Sequence, residues 1–210
     1  NLFLRILYKI QNSFIKKILK HASVASAANE YEKEIFQNLN ETTKIEIIRN
    51  GVNLKTLVSN QDFKNKYKIS SKFILFVGRF SRSKGIDTLI RAFDLLINYE
   101  KVSGLTLVIM GVDFGYEKIM EETIQKSHLS KKIIIIKNPP REDVISAYGE
   151  SEFLILPSNW ELSPLVPLES FAFKRPVIST NTHGIPFTVK HNENGILVES
   201  ENPQQLAEAI

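Results

Sequence analysis

The sequence predicts an α/β fold, a parallel sheet with flanking helices. Three observations carry this. From residue 73 onward, six short apolar runs alternate with segments of helical length and pattern, the order expected of βαβ units. One run, Ile133-Ile134-Ile135-Ile136, has no polar alternation, as a strand covered on both faces requires. Small, polar or basic residues follow the runs: Gly78-Arg79, Gly111, Lys137-Asn138, Pro157-Ser158 and Thr180-Asn181. In parallel sheets ligands bind beyond those carboxyl ends, although loops are polar in general.

The elements follow in order. Residues 1–20 read as an amphipathic helix. Leu2, Phe3, Ile6, Leu7, Ile10, Phe14 and Ile18 form one stripe, with Arg5, Lys9, Lys16 and Lys20 on another side. Such a stripe is usually covered by protein, whereas a basic amphipathic helix can also lie on an anionic membrane. A short strand is expected at 23–27, a helix at 30–39 and a strand at 44–49 that ends in the turn signal Asn50-Gly51. Residues 52–71 read as a connector with a short helix. The later strands are placed at 73–77, 105–110, 133–136, 153–156, 176–179 and 196–198. The helices between them are placed at 85–98, 116–127, 141–149 and 164–173, with another starting at 204. For 164–173, Ser163 is expected as the N-cap and Pro164 at the first helical position. Leu165, Leu168 and Ala172 would share one face, with Glu169 at its edge.

Composition narrows the chemistry. The 210 residues allow one large domain, or one domain and part of another. Without cysteine there are no disulfides, thiol nucleophiles or Cys-based zinc sites. His21, His128, His183 and His191 lack metal-ligand spacing. A dispersed net charge of +4 does not point to nucleic acid, and it suits a small anionic ligand or a membrane surface. No apolar run reaches the roughly 18 residues of a membrane span, so a cytoplasmic protein is expected, at the membrane face if residues 1–20 touch lipid. The chain starts at Asn1 without a signal peptide, and its last helical pattern is still running at Ile210. Both ends read as those of a fragment.

Two loops carry the candidate site. Gly78-Arg79-Phe80-Ser81-Arg82-Ser83-Lys84-Gly85 runs from a strand end into a helix. Gly78 lets the backbone turn or approach a ligand, and Arg79 and Lys84 place two cations beside a helix N-terminus that already favours anions. This reads as a diphosphate cradle; a merely soluble basic loop is the alternative. The second loop, after the strand at 153–156, carries Glu161, and Glu169 lies on the helix that leads away from it. A carboxylate at Glu169 suits vicinal hydroxyls such as those of a ribose, and a solvated helix residue is its alternative. There is no P-loop, no G-x-G-x-x-G and no D-x-D, so neither a dinucleotide nor a carboxylate-held metal is indicated.

Taken together, these pieces resemble the donor-binding, C-terminal domain of the retaining GT-B glycosyltransferases of group 1, or family 4. Arg49-Asn50-Gly51-Val52-Asn53 is similar to the family's N-G-V-D segment, and Val77-Gly78-Arg79 with Lys84-Gly85 to its G-R…K-G motif. Pro157-Ser158, Glu161 and the stretch from Leu165 to Glu169 resemble P-S-x-x-E-x7-E. Arg175-Pro176-Val177-Ile178, Gly184-Ile185-Pro186 and Asn194-Gly195-Ile196-Leu197-Val198 match later segments in family order.

The resemblance implies a Rossmann-like half of a GT-B fold. Residues 1–57 would be the tail of the acceptor domain with the connector, and 58–210 the nucleotide-sugar donor domain. Arg79 and Lys84 would hold the diphosphate and stabilise its leaving charge without a metal or other cofactor, and Glu161 would position the donor sugar. Gly78 and the backbone N–H groups of Leu165 and Val166 would approach phosphate, and Glu169 would bind the ribose. The reaction implied is sugar transfer with retention to an acceptor such as a glycan or lipid-linked glycan, with the isolated chain inactive. A non-catalytic nucleotide-binding module and a sugar-nucleotide epimerase of GT-B type are the alternatives. The departures are Asn53 for Asp, Leu162-Ser163-Pro164 for G-F-G, His183 for a Gly, and Phe187 for a Glu.

Overall fold

The computed structural model describes residues 2–60, 62–100 and 102–210, with side chains from Leu7 onward. It forms two compact units, Asn1–Asn50 and Gly51–Ile210, so residues 51–57 go with the second. In the first unit, helix α1 (Leu2–His21) precedes β1 (Ala25–Ala27), α2 (Glu30–Leu39) and β2 (Ile45–Ile47), and the two strands pair in parallel. Asn29 caps α2 by accepting from the Glu32 amide at 3.0 Å, while Glu32 reaches back to the Ala28 amide at 2.7 Å. This reciprocal exchange satisfies two donors at the helix start. Leu2, Phe3, Arg5 and Ile6 of the expected stripe lie outside the described side chains. Leu7, Ile10, Phe14 and Ile18 are exposed, and Leu19, outside the stripe, is buried.

The second unit opens with a 3-10 turn over Leu54–Thr56 and helix α3 (Phe63–Lys66). Strands β3 (Lys72–Val77), β4 (Leu105–Gly111), β5 (Ile133–Lys137), β6 (Leu154–Leu156), β7 (Val177–Thr180) and β8 (Gly195–Val198) then form one six-stranded sheet. Helices α4 (Ile86–Asp94), α5 (Glu117–Lys126), α6 (Arg141–Glu150), α7 (Val166–Ala172) and α8 (Pro203–Ala209) alternate with them. The strand order is β5-β4-β3-β6-β7-β8, and every pairing is parallel. The chain therefore runs outward from β3 to β5, returns to β6 on the far side of β3, and continues outward. The order reverses between β3 and β6.

Period-two alternation in β3 divides the core. Ile74 and Phe76 face one apolar cluster, with Leu89 and Phe93 of α4 and Met120 of α5. Phe73 and Leu75 face the other, with Phe63 of α3 and Val144, Ala147 and Tyr148 of α6. The expected helix at 85–98 is α4 followed by a π turn over Leu95–Tyr99. The helix expected to start at Pro164 starts at Val166, with Leu165 in the cap position and no side-chain cap; Pro167 rather than Pro164 occupies its first turn. Proline is tolerated there because the first-turn N–H groups have no partner in the helix. The face expected of Leu165, Leu168 and Ala172 is not the buried one: Leu168 and Ala172 are half-buried, and the buried residues of α7 are Pro167, Glu169 and Ser170. Leu165 is exposed, and Glu169, expected at the edge, is buried.

Polar contacts tie α3 to α6, and one of them gathers on a buried carboxylate. Lys66 Nζ donates to both carboxylate oxygens of Asp143 at 2.7 and 2.8 Å, and Tyr67 Oη donates to Oδ2 at 2.6 Å. Asp143 is buried. Burial pushes its carboxyl up, but the hydrogen bonds from Lys66 and Tyr67 outweigh that and hold it below the usual aspartate range. Burial, with Asp143 beside it, pushes the Tyr67 phenol up to about 12. A lowered carboxyl pKa contributes stability that is present above the unfolded value and lost as pH falls through the folded one. Lys66→Met should thus cost about 1–2 kcal/mol at neutral pH, below the full penalty for a broken buried pair because Lys66 is half exposed and Tyr67 still donates. Urea melts of wild type and variant should converge as the pH drops below the ordinary aspartate range. A constant difference across that range would mean that the pair contributes only packing.

Candidate functional site

The point where strand order reverses is where doubly wound sheets take ligands, because loops diverge there and leave a crevice. The two loops that flank it follow β3 and β6, and they carry the residues picked out by sequence. After β3, Gly78 N donates to Met110 O at 3.0 Å, Phe80 N to Val112 O at 2.7 Å and Phe114 N to Phe80 O at 2.9 Å. The β3–β4 pairing thus continues past the strands. It needs Gly111, where an added Cβ would fall 1.7 Å from Gly78 O. The loop closes in a 3-10 turn over Arg82–Lys84, and Gly85 at φ +63° starts α4.

Gly85 has two reasons to be glycine. Its left-handed backbone disfavours a side chain, and an added Cβ would lie 2.0 Å from the carbonyl oxygen of Pro157, just past β6. The approach is reinforced by Asn159 N, which donates to Ser83 O at 2.8 Å. The two loops therefore touch backbone to backbone across the reversal.

This contact brings Lys84 and Glu161 together. Lys84 Nζ donates to Glu161 Oε1, and Ser158 Oγ donates to the same oxygen at 3.1 Å. Both charged side chains are largely buried. The stem of Lys84 passes Gly78, whose absent Cβ would sit 3.9 Å from Lys84 Cδ. Arg79, expected as the second cation of the cradle, is exposed and lies with its guanidinium 5.0 Å from the centre of the Phe114 ring. Glu161 is also fixed by its carbonyl, which accepts from Gly184 N at 3.0 Å. The residue before Gly184, His183, has φ +49°, which explains a glycine preference there.

Glu169 on α7 is only 9% exposed, so it is not a solvated helix residue. Tyr148 Oη donates to its Oε2 at 2.9 Å and Arg141 Nη2 to its Oε1 at 2.5 Å. Burial first, and Glu169 second, push the Tyr148 phenol well above the usual tyrosine range, so it remains a donor. Leu165 and Val166 stand at the start of α7, between Glu161 and Glu169 in the chain. The sequence does not single out Tyr148 as a site residue. It places Arg141 only at the end of the loop 137–141 beyond the third strand, where the edge of a nucleotide base is expected, and not beside Glu169. Trp160, beside Glu161, is half exposed, with its ring centre 6.1 Å from that of His183.

Comparison with known proteins gives the class. Residues 59–210 match the family described as glycosyl transferases group 1, and the chain belongs to that family. A D-inositol 3-phosphate glycosyltransferase of Corynebacterium urealyticum is 32% identical over 146 residues, which are 68% of this chain and 34% of the relative. Sucrose-phosphate synthase from Thermosynechococcus elongatus matches with a TM-score of 0.85 at 24% identity, over 96% of this chain and 51% of that one. Anabaena HepE in complex with UDP-glucose matches with a TM-score of 0.80 at 19% identity, over 94% and 56%. The chain thus spans between a third and somewhat over half the length of these proteins. Its six-stranded parallel sheet with flanking helices is the Rossmann-like domain of GT-B glycosyltransferases. Among the described residues no helix is long and apolar enough to cross a membrane.

Gly85→Ala tests the loop contact. The left-handed backbone alone costs about 1–2 kcal/mol for a residue with a side chain, and the clash with Pro157 adds to it. The variant should lose more than about 2 kcal/mol in urea unfolding. Gly104→Ala, also at positive φ but with nothing within 4 Å of the new Cβ, should lose only the backbone share. Equal losses at the two sites would mean that the approach to Pro157 is dispensable.

Proposed function

We propose that this chain is the donor-binding part of a retaining, family 4 glycosyltransferase, and that it binds a nucleotide-diphospho-sugar in the crevice between the β3 and β6 loops. On this reading residues 58–210 are the donor domain, and residues 1–57 are the tail of the acceptor domain with its connector. The observation that carries the reading is the Lys84–Glu161 pair, held at the reversal of strand order by the contact of Gly85 with Pro157. The chain's membership of group 1 supports it, as does the shared fold with a protein captured with UDP-glucose.

The residues divide the work as follows. A lysine ammonium has three N–H donors. Glu161 takes one, which leaves two for phosphate oxygens while the paired carboxylate keeps the ammonium in place. Arg79, on an exposed stem, adds a planar fork that suits phosphate. Together they would offset the negative charge that grows on the diphosphate as the bond to the sugar breaks, which is the main service a site of this kind can supply. That role requires no divalent metal. Gly78 and the amides of Leu165 and Val166 let backbone approach the same group. Glu161 also bounds the space where the sugar would sit, and Glu169 accepts from ribose hydroxyls. The acceptor would be a glycan or a lipid-linked glycan, and α1 could bring the protein to an anionic membrane.

Two variants and one chelator test this. Glu169→Gln keeps the shape but turns one acceptor into a donor. It should weaken a ribonucleoside diphosphate by about 1–3 kcal/mol and the 2′-deoxy form much less. Lys84→Ala should weaken both forms alike, and weaken the diphosphate far more than the nucleoside. Calorimetry showing no coupling between Glu169 and the 2′-hydroxyl would remove Glu169 from the ribose. Binding should also survive EDTA; its loss would defeat the metal-free assignment. Product analysis with the complete enzyme separates transfer from epimerisation and from binding alone.

A further inference from the structure

The surroundings of Glu169 are asymmetric. On one side Tyr148 is completely buried and holds Oε2. On the other, Arg141 holds Oε1 with a side chain that is 54% exposed, against 12% for that of Glu169. A ligand hydroxyl can reach the carboxylate only from the solvent side, which is the side of Arg141. Arg141 is also poorly placed on its own helix. It is the first residue of α6, where the aligned peptide dipoles disfavour a cation. Its nearby helix neighbours Glu142 and Asp143 suit that position; Arg141 does not. The pairing with Glu169 is what offsets its placement, and a half-exposed side chain can swing into water once another donor takes its place on the carboxylate.

We propose that Arg141 is a displaceable occupant of the ribose site, holding Glu169 Oε1 in the empty protein and yielding it to a ribose hydroxyl when a ribonucleoside diphosphate binds. The proposal rests on the reading that Glu169 meets the ribose. It makes Arg141 a specificity-determining residue for ribose, acting through competition. The guanidinium keeps a buried carboxylate paired and aimed when no nucleotide is bound. It also lowers ribonucleotide affinity by the work of its own displacement. A 2′-deoxy ligand, with one hydroxyl fewer to take its place, has less to gain when Arg141 is removed.

The experiment uses the chain as it stands and whichever of UDP, GDP and ADP binds most tightly, together with the 2′-deoxy form of that nucleotide. Arg141→Met keeps the length of the stem without its charge. It should tighten the ribonucleotide by about two- to ten-fold, the range of a partly exposed ion pair, and change the 2′-deoxy form less. It should also lower the melting temperature of the empty protein while enlarging the shift on adding the ribonucleotide. Arg141→Lys, which can still pair with Glu169, should return both values toward wild type. Weaker binding of both forms by Arg141→Met would make Arg141 a phosphate or base contact, and equal changes would mean that it does not compete for the ribose position; either result overturns the proposal. Glu169→Gln in the same assay keeps the two readings apart. If it leaves the ribo-to-deoxy ratio unchanged, the ribose reading itself falls. If it changes the ratio while Arg141→Met does not, only the competition falls.

Discussion

The backbone contact between Gly85 and Pro157 is the constraint on which the site depends. A parallel sheet that reverses its strand order leaves a crevice at the reversal, because the loops on either side lead away to opposite ends. Here one residue without a side chain lets the β3 loop turn back and meet the end of β6. An alanine in that place would put its Cβ 2.0 Å from the Pro157 carbonyl oxygen, so one of the two loops would have to shift. Lys84 and Glu161 are positioned by this approach. Lys84 is the residue just before Gly85, and Glu161 lies four residues beyond Pro157, past the bond from Asn159 to Ser83.

The charges gathered there are balanced within the protein. Lys84 is paired with Glu161 and Arg141 with Glu169, each carboxylate largely buried and each with a second donor, Ser158 or Tyr148. A buried carboxylate without such partners would lose its charge or destabilise the fold. The pairing therefore lets a polar crevice exist beside an apolar core. It also means that a ligand must offer each group at least as much as its present partner does. An anionic diphosphate meets that condition for Lys84, which has donors to spare.

Much of this was legible in the chain. The six strands of the main sheet lie within about a residue or two of their expected places, because buried parallel strands are written as apolar runs with little polar interruption. The G-R…K-G and P-S…E…E segments pointed to the loops that meet at the crevice, since backbone turns and charges at strand ends leave residue-type signals. The start of α7 was misplaced. Two prolines, Pro164 and Pro167, compete for one first turn, and local preference does not choose between them. Glu169 shows the same limit from the other side. On the sequence it could equally be a solvated helix residue, and only its packing against Tyr148 decides that it is buried.

The sequence by itself determined the class of fold, the order of the strands along the chain, the absence of thiol chemistry, and which loops hold the charged residues. These follow from periodicity, composition and residue type, which are local properties. Tertiary structure alone decided which charges are partners. Lys84 and Glu161 are 77 residues apart, and Arg141 and Glu169 are 28 apart. No local pattern records a pairing over such separations. It is settled by the sheet, which places β6 next to β3, and by the packing of α6 near α7 that brings Tyr148 and Arg141 to one carboxylate.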